Sequence, residues 1–278
     1  MKSLMGNLNK FVLAKRISLL SIIMVLNACA VLPGAKPVMG IEQAVDVYAI
    51  DKSPLPTVIL LPGCGGGQDV ESAAIMQRKA HWLNDHGFNA VIFDFTKMMG
   101  VKNACLGQIK KETLGSSAVD AFRYVAAQPY VDRDHIILLG WSMGASMALA
   151  IAQTLEPEDE PNIAAVAAYY PGCFSGLQLS SHPTLLLIGM ADNVVDPNQC
   201  LELIGRSSKK NVTYKTYAGA HHGFDAVEFD PPRSTRFFWK KYTSAYDASA
   251  AADAEKSLLE FLQAHSSTAS TNRQRIKQ

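Results

Sequence analysis

The chain has 278 residues, of which 26 are Lys or Arg and 25 are Asp or Glu, giving a formal net charge of +1. This length allows one large domain or two small ones, either of which could bury a substantial core. A net charge so close to zero provides no long-range field toward nucleic acid or an anionic surface, so we expect no nucleic-acid partner.

The first 29 residues have the pattern of an export signal. Four bases and no acidic residue precede an apolar run over residues 17–31. This run is shorter than the roughly 20 residues that a membrane-spanning helix needs. We therefore predict a signal peptide over residues 1–29 and an exported protein in the periplasm or envelope.

The end of this segment allows two kinds of processing. Its sequence LNAC, ending at Cys29, resembles the bacterial lipobox, in which the cysteine is lipidated and becomes the first mature residue, although Asn27 is unusual there. The overlapping ACA instead fits ordinary cleavage, which would release a soluble protein. We favour a lipoprotein anchored in the membrane through Cys29, because cysteine is otherwise scarce in the chain.

Four further cysteines form an even set, as expected in an oxidising compartment. They are Cys64, Cys105, Cys173 and Cys200. Four cysteines allow three pairings, and their spacing does not choose among them. Because the chain has no C-x-x-C and no His/Cys cluster at zinc spacing, we predict no metal site.

The remaining sequence alternates strand and helix patterns after a linker over residues 30–42 that contains two prolines and two glycines. Apolar runs ended by turn residues predict strands at 57–63, 89–95, 135–140, 163–172, 184–192 and 212–219. Helices are predicted at about 70–87, 113–128, 143–155, 197–207 and 248–264. Continuous apolar runs are typical of parallel strands covered on both faces, so we predict one α/β domain over residues 43–265 with a doubly wound, mostly parallel sheet. Residues 266–278 are polar and are predicted to be a disordered tail.

Residues 223–247 interrupt this alternation. They are rich in aromatic residues, bases and prolines and show no clear period. We interpret them as a loop near a binding site, whose side chains either line a pocket for an aromatic or anionic group or form a surface patch. The side chains concerned are Arg233, Arg236, Phe237, Phe238 and Trp239.

One motif carries the chemistry. Ser142 lies within GWSMG, after a predicted strand and before an alanine-rich helix. A G-x-S-x-G sequence in this position is typical of a tight strand-to-helix turn that exposes its serine, and Gly140 and Gly144 are needed because a Cβ at either place would collide with a neighbouring element. We therefore predict that Ser142 is a nucleophile.

A nucleophilic serine needs a histidine base and a carboxylate that orients it, and the chain order for this turn is serine, acid, histidine. Asp192 follows a predicted strand 50 residues after Ser142, and His222 follows another strand 30 residues later. Asp196 is a weaker candidate, because it precedes a proline and resembles a helix cap. The spacing does not distinguish His222 from His221.

Two backbone donors are also needed for the oxyanion of an acyl-transfer reaction. The N–H of Met143 follows the nucleophile, and the loop LPGCGGG supplies the second donor, for which we favour Cys64, with Gly63 or Gly65 as alternatives. No Lys-Ser/Thr follows this loop and the nucleotide-binding spacing is absent, so we expect no cofactor.

These motifs together resemble the dienelactone hydrolase family. The resemblance covers about residues 43–264 and rests on five motifs in family order: LPGCGGG, GWSMG, GMADNVVDP, AGAHHGF and DAEKSLLEFL. It implies an α/β-hydrolase fold, and it points to His222, because the family's histidine precedes Gly-Phe. Two departures matter: Pro62 stands where similar members carry histidine, and Ser142 replaces the cysteine nucleophile of dienelactone hydrolases proper.

The resemblance has consequences for the substrate and for the cysteines. A serine nucleophile is similar to that of esterase-like relatives, so we do not expect dienelactone itself as the substrate. Related exported proteins imply a disulfide between Cys173 and Cys200, and one between Cys64 and Cys105 as the remaining pair.

The sequence therefore predicts a serine hydrolase that cleaves a small-molecule carboxylic ester or lactone through an acyl-enzyme. The same three residue types also serve peptidases. A different class of function, an envelope-tethered binding protein that retains the fold without chemistry, is the alternative to an enzyme.

Overall fold

The structure is a computed structural model that describes residues 37–106, 111–155, 161–237 and 239–266. The predicted signal peptide, the lipidation at Cys29 and most of the predicted linker lie outside these ranges. The predicted tail lies outside them too, apart from Ser266, which ends the last helix.

Seven strands of the described part of the chain form one sheet. They are β1 (Val45–Tyr48), β2 (Leu55–Leu61), β3 (Asn89–Phe93), β4 (Val131–Trp141), β5 (Ile163–Tyr169), β6 (Thr184–Gly189) and β7 (Val212–Tyr217). Their order in space is β1-β3-β2-β4-β5-β6-β7, and every neighbouring pair is parallel except β1 with β3. This confirms the predicted doubly wound, mostly parallel sheet.

Within the described residues, six α-helices connect and cover the strands. They are α1 (Val70–Asp85), α2 (Phe95–Met99), α3 (Lys111–Ala126), α4 (Met143–Thr154), α5 (Pro197–Arg206) and α6 (Ala248–Ser266). Helix α5 begins at a proline, and Asp196 caps it by accepting a hydrogen bond of 3.0 Å from Asn198 N–H, which confirms the interpretation of Asp196 as a cap. Within the described ranges, no helix combines the length and the apolar character that crossing a bilayer requires.

The burial of the strands explains why the apolar runs were continuous. Every residue of β3 and every residue of β6 is buried, because helices cover both faces of the sheet. Strand β7 lies at the edge of the sheet, and each of its residues is either partly buried or exposed. The central strands therefore show no polar face, whereas the edge strand does.

Five of the six predicted strands end two or three residues late, and the strand predicted at 135–140 ends one residue early. The runs predicted to end at residues 63 and 192 stop in the structure at Leu61 and Gly189. The residues beyond these points form the loops at the carboxyl edge of the sheet, where sites in open α/β sheets lie.

Residues 223–247 contain regular structure that the sequence did not indicate. A short 3-10 helix, Val227–Phe229, is followed by two antiparallel strands, β8 (Arg233–Phe237) and β9 (Lys240–Ser244), which form a separate hairpin. The expectation of an irregular loop was wrong, because this hairpin has no face packed into the core. Without a buried face, the period-two alternation of apolar residues that reveals a strand does not arise.

The turn at Ser142 depends on the absence of side chains at two glycines. A Cβ on Gly144 would overlap the carbonyl oxygen of Leu61, and a Cβ on Gly140 would overlap the backbone of Gly144. Strand β2, strand β4 and helix α4 thus meet backbone to backbone.

We expect Gly144→Ala to lower the free energy of unfolding by about 3 kcal/mol or more, because the clash is with backbone that cannot move aside. Urea denaturation followed by circular dichroism measures this effect. Gly205→Ala in α5 is the matched control, since an added Cβ meets nothing within 4 Å there. It should stabilise the helix by about 0.5–1 kcal/mol. Equal stability of the two variants would contradict the close approach at Gly144.

Candidate active site

Ser142 lies at the junction between β4 and α4. Its backbone has φ 53° and ψ −118°, in the left-handed region that residues other than glycine rarely adopt. Its N–H donates a hydrogen bond of 3.0 Å to the Tyr169 carbonyl on β5. Neighbouring strands thus hold the turn in this conformation, and the hydroxyl reaches the cleft above the sheet.

The loops after β6 and β7 bring an acid and a base to this hydroxyl. His222 Nε2 lies 3.0 Å from Ser142 Oγ, and His222 Nδ1 lies 2.7 Å from Asp192 Oδ2. In the tautomer that carries its proton on Nδ1, the imidazole donates to the carboxylate and accepts from the hydroxyl. The three residues are separated by 80 and 30 positions in the sequence, so only the fold brings them together.

The Asp192 carboxylate is buried with its hydrogen bonds satisfied. The residue is 7% exposed, and its Oδ1 accepts from the N–H groups of Val194 at 2.8 Å and Val195 at 3.0 Å. These bonds leave Oδ2 for His222 and offset the cost of burying a charge. The loop after β6 therefore fixes the direction from which the carboxylate meets the imidazole.

The geometry distinguishes the two neighbouring histidines. His222 reaches Ser142 and Asp192, whereas the buried Nδ1 of His221 makes no hydrogen bond within the described residues. The sequence spacing had left this choice open, and of these two histidines it is His222 whose ring lies between Ser142 and Asp192.

An aromatic and acidic group supports His222, and the sequence did not identify it. The Tyr170 ring packs 4.5 Å from the His222 ring, and the Tyr170 hydroxyl donates to Asp225 Oδ1 at 2.8 Å. The Trp141 indole N–H donates to the other oxygen of Asp225, also at 2.8 Å. Burial, together with the nearby Asp225 charge, holds the pKa of Tyr170 well above its usual value, so the hydroxyl stays a donor. The sequence features that could have indicated this group are Tyr169-Tyr170, at the end of β5 and directly after it, and the aspartate three residues after His222.

The glycine-rich loop lies beside Ser142. A Cβ on Gly63 would stand 3.5 Å from Ser142 Cβ, and the Cys64 N–H donates to no acceptor within the described residues. Met143 is the first residue of α4, and the first N–H groups of a helix have no partner inside it. The residues predicted to supply the donors, Cys64 and Met143, therefore lie in segments next to Ser142.

A disulfide joins this loop to the segment that follows α2. Cys64 is joined to Cys105, 41 residues away, and the Ala104 N–H also donates to the Cys64 carbonyl at 2.9 Å. The Cys64 peptide is thus tied to the segment after α2 both by a covalent bond and by a hydrogen bond.

The second disulfide joins Cys173, after β5, to Cys200 in α5. Its Cα atoms are 5.0 Å apart, within the usual range for a disulfide. It links the segment that follows Tyr170 to the helix that follows the Asp192 loop. Two disulfides are compatible with an exported protein.

Ser142 and His222 open into a cleft of about 480 Å³. The glycine-rich loop, the start of α1 and the hairpin form its walls. The hairpin contributes Arg233, Thr235, Tyr242 and Ser244. Of the side chains predicted to line a pocket, Arg233 does so and forms an ion pair with Glu71, whereas Arg236 and Trp239 are exposed. Phe238 and the side chain of Phe237 lie outside the described part of the chain.

The hairpin is attached to the loops that carry the acid and the base. The Asn193 side chain donates to the Lys241 carbonyl at 3.0 Å and accepts from the Thr243 N–H at 2.9 Å. The Ala245 N–H donates to the His222 carbonyl at 3.1 Å. Sequence reasoning missed Asn193, although it directly follows Asp192.

Comparison with known proteins defines the class. Residues 45–266 match the dienelactone hydrolase family, and the chain therefore belongs to that family. This membership confirms the α/β-hydrolase fold and supports a hydrolase that acts on an ester-type bond.

Particular relatives are distant. A non-reducing polyketide synthase of Preussia isomera is 25% identical over 141 residues, which are 49% of this chain but only 6% of the synthase. A dienelactone hydrolase-like promiscuous phosphotriesterase from metagenomic libraries is 18% identical, with a TM-score of 0.59, over 80% of this chain and 98% of its own.

Two other solved structures have the same fold. A dienelactone hydrolase described as putative from Klebsiella pneumoniae is 15% identical, with a TM-score of 0.58, over 79% of this chain and 98% of its own. A thermophilic esterase from Thermogutta terrifontis, solved with butyrate bound, is 17% identical, with a TM-score of 0.57, over 84% of this chain and 94% of its own.

We expect Asp225→Ala to lower the free energy of unfolding by about 1–3 kcal/mol for each donor that it leaves unpaired, the Trp141 indole and the Tyr170 hydroxyl. Urea denaturation measures the change. Asp85→Ala is the control, because Asp85 is exposed at the end of α1. It should change stability by no more than about 0.5 kcal/mol. If the two variants are equally stable, Asp225 does not organise this part of the site.

Proposed function

We propose that the protein is a serine hydrolase that cleaves a carboxylic ester or lactone through an acyl-enzyme. The observation that carries this proposal is the continuous row of hydrogen bonds from Asp192 through His222 to Ser142, with distances of 2.7 Å and 3.0 Å. The row ends on a hydroxyl that opens into a cleft.

In this proposal, the reaction proceeds in two halves. Ser142 Oγ attacks the acyl carbon while His222 Nε2 takes its proton, and the same proton then passes to the leaving alkoxide, so that alcohol departs and the acyl group stays on Ser142. Water, deprotonated by His222, next attacks the acyl carbon. The bond from this carbon to Ser142 Oγ then breaks, His222 returns the proton to Oγ, and the carboxylic acid leaves. Asp192 holds the imidazole in the tautomer that accepts at Nε2 and stabilises the imidazolium that forms.

The negative charge on the tetrahedral oxygen needs donors on the side of the cleft opposite His222. The Met143 N–H and the Cys64 N–H flank Ser142 and are the donors we propose, with Gly63 or Gly65 as alternatives for the second. One such donor typically contributes about 3 kcal/mol to transition-state stabilisation.

A small substrate fits the cleft best. Its volume of about 480 Å³ lies within the range of small-molecule sites. The Thermogutta esterase that shares the fold has been solved with butyrate bound and also phosphorylated by paraoxon. We therefore propose short-chain acyl esters and lactones as substrates and expect organophosphorus reagents to label Ser142.

We also propose that the chain is exported, with residues 1–29 as its signal peptide and Cys29 as the lipidated anchor. Both disulfides support an oxidising compartment. Residues 43–265 would then act outside the cytoplasm as a catalytic domain on a linker.

We expect Ser142→Ala to lower kcat/KM for p-nitrophenyl butyrate by at least about 10³-fold and to abolish labelling by a fluorophosphonate probe. Thermal unfolding should be nearly unchanged, because the hydroxyl is only partly buried. Wild-type turnover or labelling in this variant would refute the mechanism, and an unlabelled wild type would favour a binding protein without chemistry.

The two adjacent histidines provide a matched pair. We expect His222→Gln to lose about as much activity as Ser142→Ala, since the two residues act as one unit. His221→Gln should keep most of the activity, because His221 bonds to neither Ser142 nor Asp192. The opposite ranking in the same assay would assign the base to His221.

The disulfide behind the glycine-rich loop should affect kcat more than KM. In the double variant Cys64→Ser/Cys105→Ser, the backbone N–H of residue 64 is held less firmly. We therefore expect kcat to fall about tenfold to a hundredfold. Removing either disulfide should cost about 2–4 kcal/mol of stability. The control, Cys173→Ser/Cys200→Ser, should therefore lose about as much stability as the first variant but retain most of the wild-type kcat. Both variants are assayed under conditions in which both are folded. Equal kcat values in the two variants would show that the Cys64 loop needs no covalent support.

A further inference from the structure

The hairpin concentrates positive charge and aromatic rings in a chain with a net charge of only +1. Its sequence, RSTRFFWKKYTS over residues 233–244, has four bases and no acidic residue. Three consecutive aromatic residues lie at its centre, between Arg236 and Lys240. We call the side chains of Arg236, Trp239, Lys240 and Lys241 the hairpin tip.

The strand register divides the hairpin into two faces. Arg233, Thr235, Tyr242 and Ser244 line the cleft, and the pleat places the alternate residues on the other face. On that outer face Arg236 stands directly opposite Lys241. Like charges in this arrangement destabilise a sheet, and an anionic partner would relieve the repulsion.

The charges of the hairpin tip are not neutralised by the protein. Within the described residues, Arg233 pairs with Glu71, but no carboxylate lies within 4.0 Å of Arg236, Lys240 or Lys241. All three of these bases are exposed to solvent. The surface of the tip is therefore cationic.

The hairpin tip also presents a large apolar side chain to solvent. Trp239 is 91% exposed, the highest value among the exposed large hydrophobic residues of the described chain. In the sequence two phenylalanines directly precede it. A tryptophan beside apolar residues, with bases on both sides, matches the boundary of a lipid bilayer, where apolar chains lie beneath charged headgroups.

We infer that the hairpin tip docks on an anionic lipid bilayer. Trp239 enters the interfacial layer, and Arg236, Lys240 and Lys241 lie against the anionic headgroups. The small net charge of the chain does not oppose this, because screening limits the interaction to charges within about 8 Å of the surface at physiological salt. The inference is independent of the proposed reaction, since it uses no residue of the candidate active site.

Tryptophan fluorescence of the full-length protein reports on the hairpin tip directly. The chain has three tryptophans, of which Trp141 is 3% exposed and Trp82 is partly buried, and residues 1–36 contain none. Vesicles of phosphatidylcholine with phosphatidylglycerol, bearing brominated acyl chains, should quench and blue-shift the Trp239 emission. Pure phosphatidylcholine vesicles should not do so. Trp239→Phe should lose the response, even if the N-terminal segment binds the vesicles, because that segment carries no tryptophan.

Charge variants test the role of the bases. Each lysine near an anionic surface contributes about a fivefold gain in partitioning, so Lys240→Gln/Lys241→Gln should weaken the response about 25-fold. The backbone bond from Asn193 to Lys241 remains available in this variant. The matched control is Lys209→Gln/Lys210→Gln, an exposed pair that precedes β7 and so lies at the sheet edge opposite the cleft. This control should partition like the wild type.

Three results would overturn the inference. They are the absence of quenching by anionic vesicles in 50 mM salt, equal quenching by neutral vesicles, and equal partitioning of the two double-lysine variants. A response of Trp239 to single-stranded DNA but not to vesicles would equally overturn it and would assign the hairpin tip to a different anion.

Discussion

The candidate active site depends on the close approach of three backbones where β2, β4 and α4 meet. Because Gly140 and Gly144 have no Cβ, α4 can begin directly over the end of β2. This approach forces Ser142 to φ 53° and presents its hydroxyl to the cleft. The same approach brings the glycine-rich loop that follows β2 close to Ser142, so one packing constraint positions both the hydroxyl and this loop.

The other residues of the site lie on loops that would be mobile without support. Asp192 is held by two backbone N–H groups, His222 is flanked by Tyr170, and the Cys64 loop is joined to Cys105. Each support satisfies a buried polar group or restricts a loop, and both effects favour a single arrangement of the site. Pre-organisation of this kind matters for hydrolysis, because donors already in place need no reorganisation when charge develops.

The hairpin connects the candidate active site to the surface. Its pleat directs alternate residues into the cleft, and hydrogen bonds to Asn193 hold it beside Asp192. A cleft wall whose tip is cationic and aromatic would place the mouth of the cleft close to a membrane.

The sequence alone determined the sheet, because strands buried on both faces must be apolar at every position. It also indicated Ser142 as the candidate nucleophile, because the turn that presents it requires glycine two residues before and two residues after it. Asp192 followed from its position after a strand. Spacing could not choose His222 over His221, pair the cysteines, or reveal that Asp225 binds Trp141 and Tyr170, since these contacts join residues 27 to 84 positions apart. The sequence did not indicate the hairpin, because neither face of the hairpin is buried in the core. Local patterns record which face of an element is buried, whereas contacts between distant loops arise only when the sheet brings their ends to one edge.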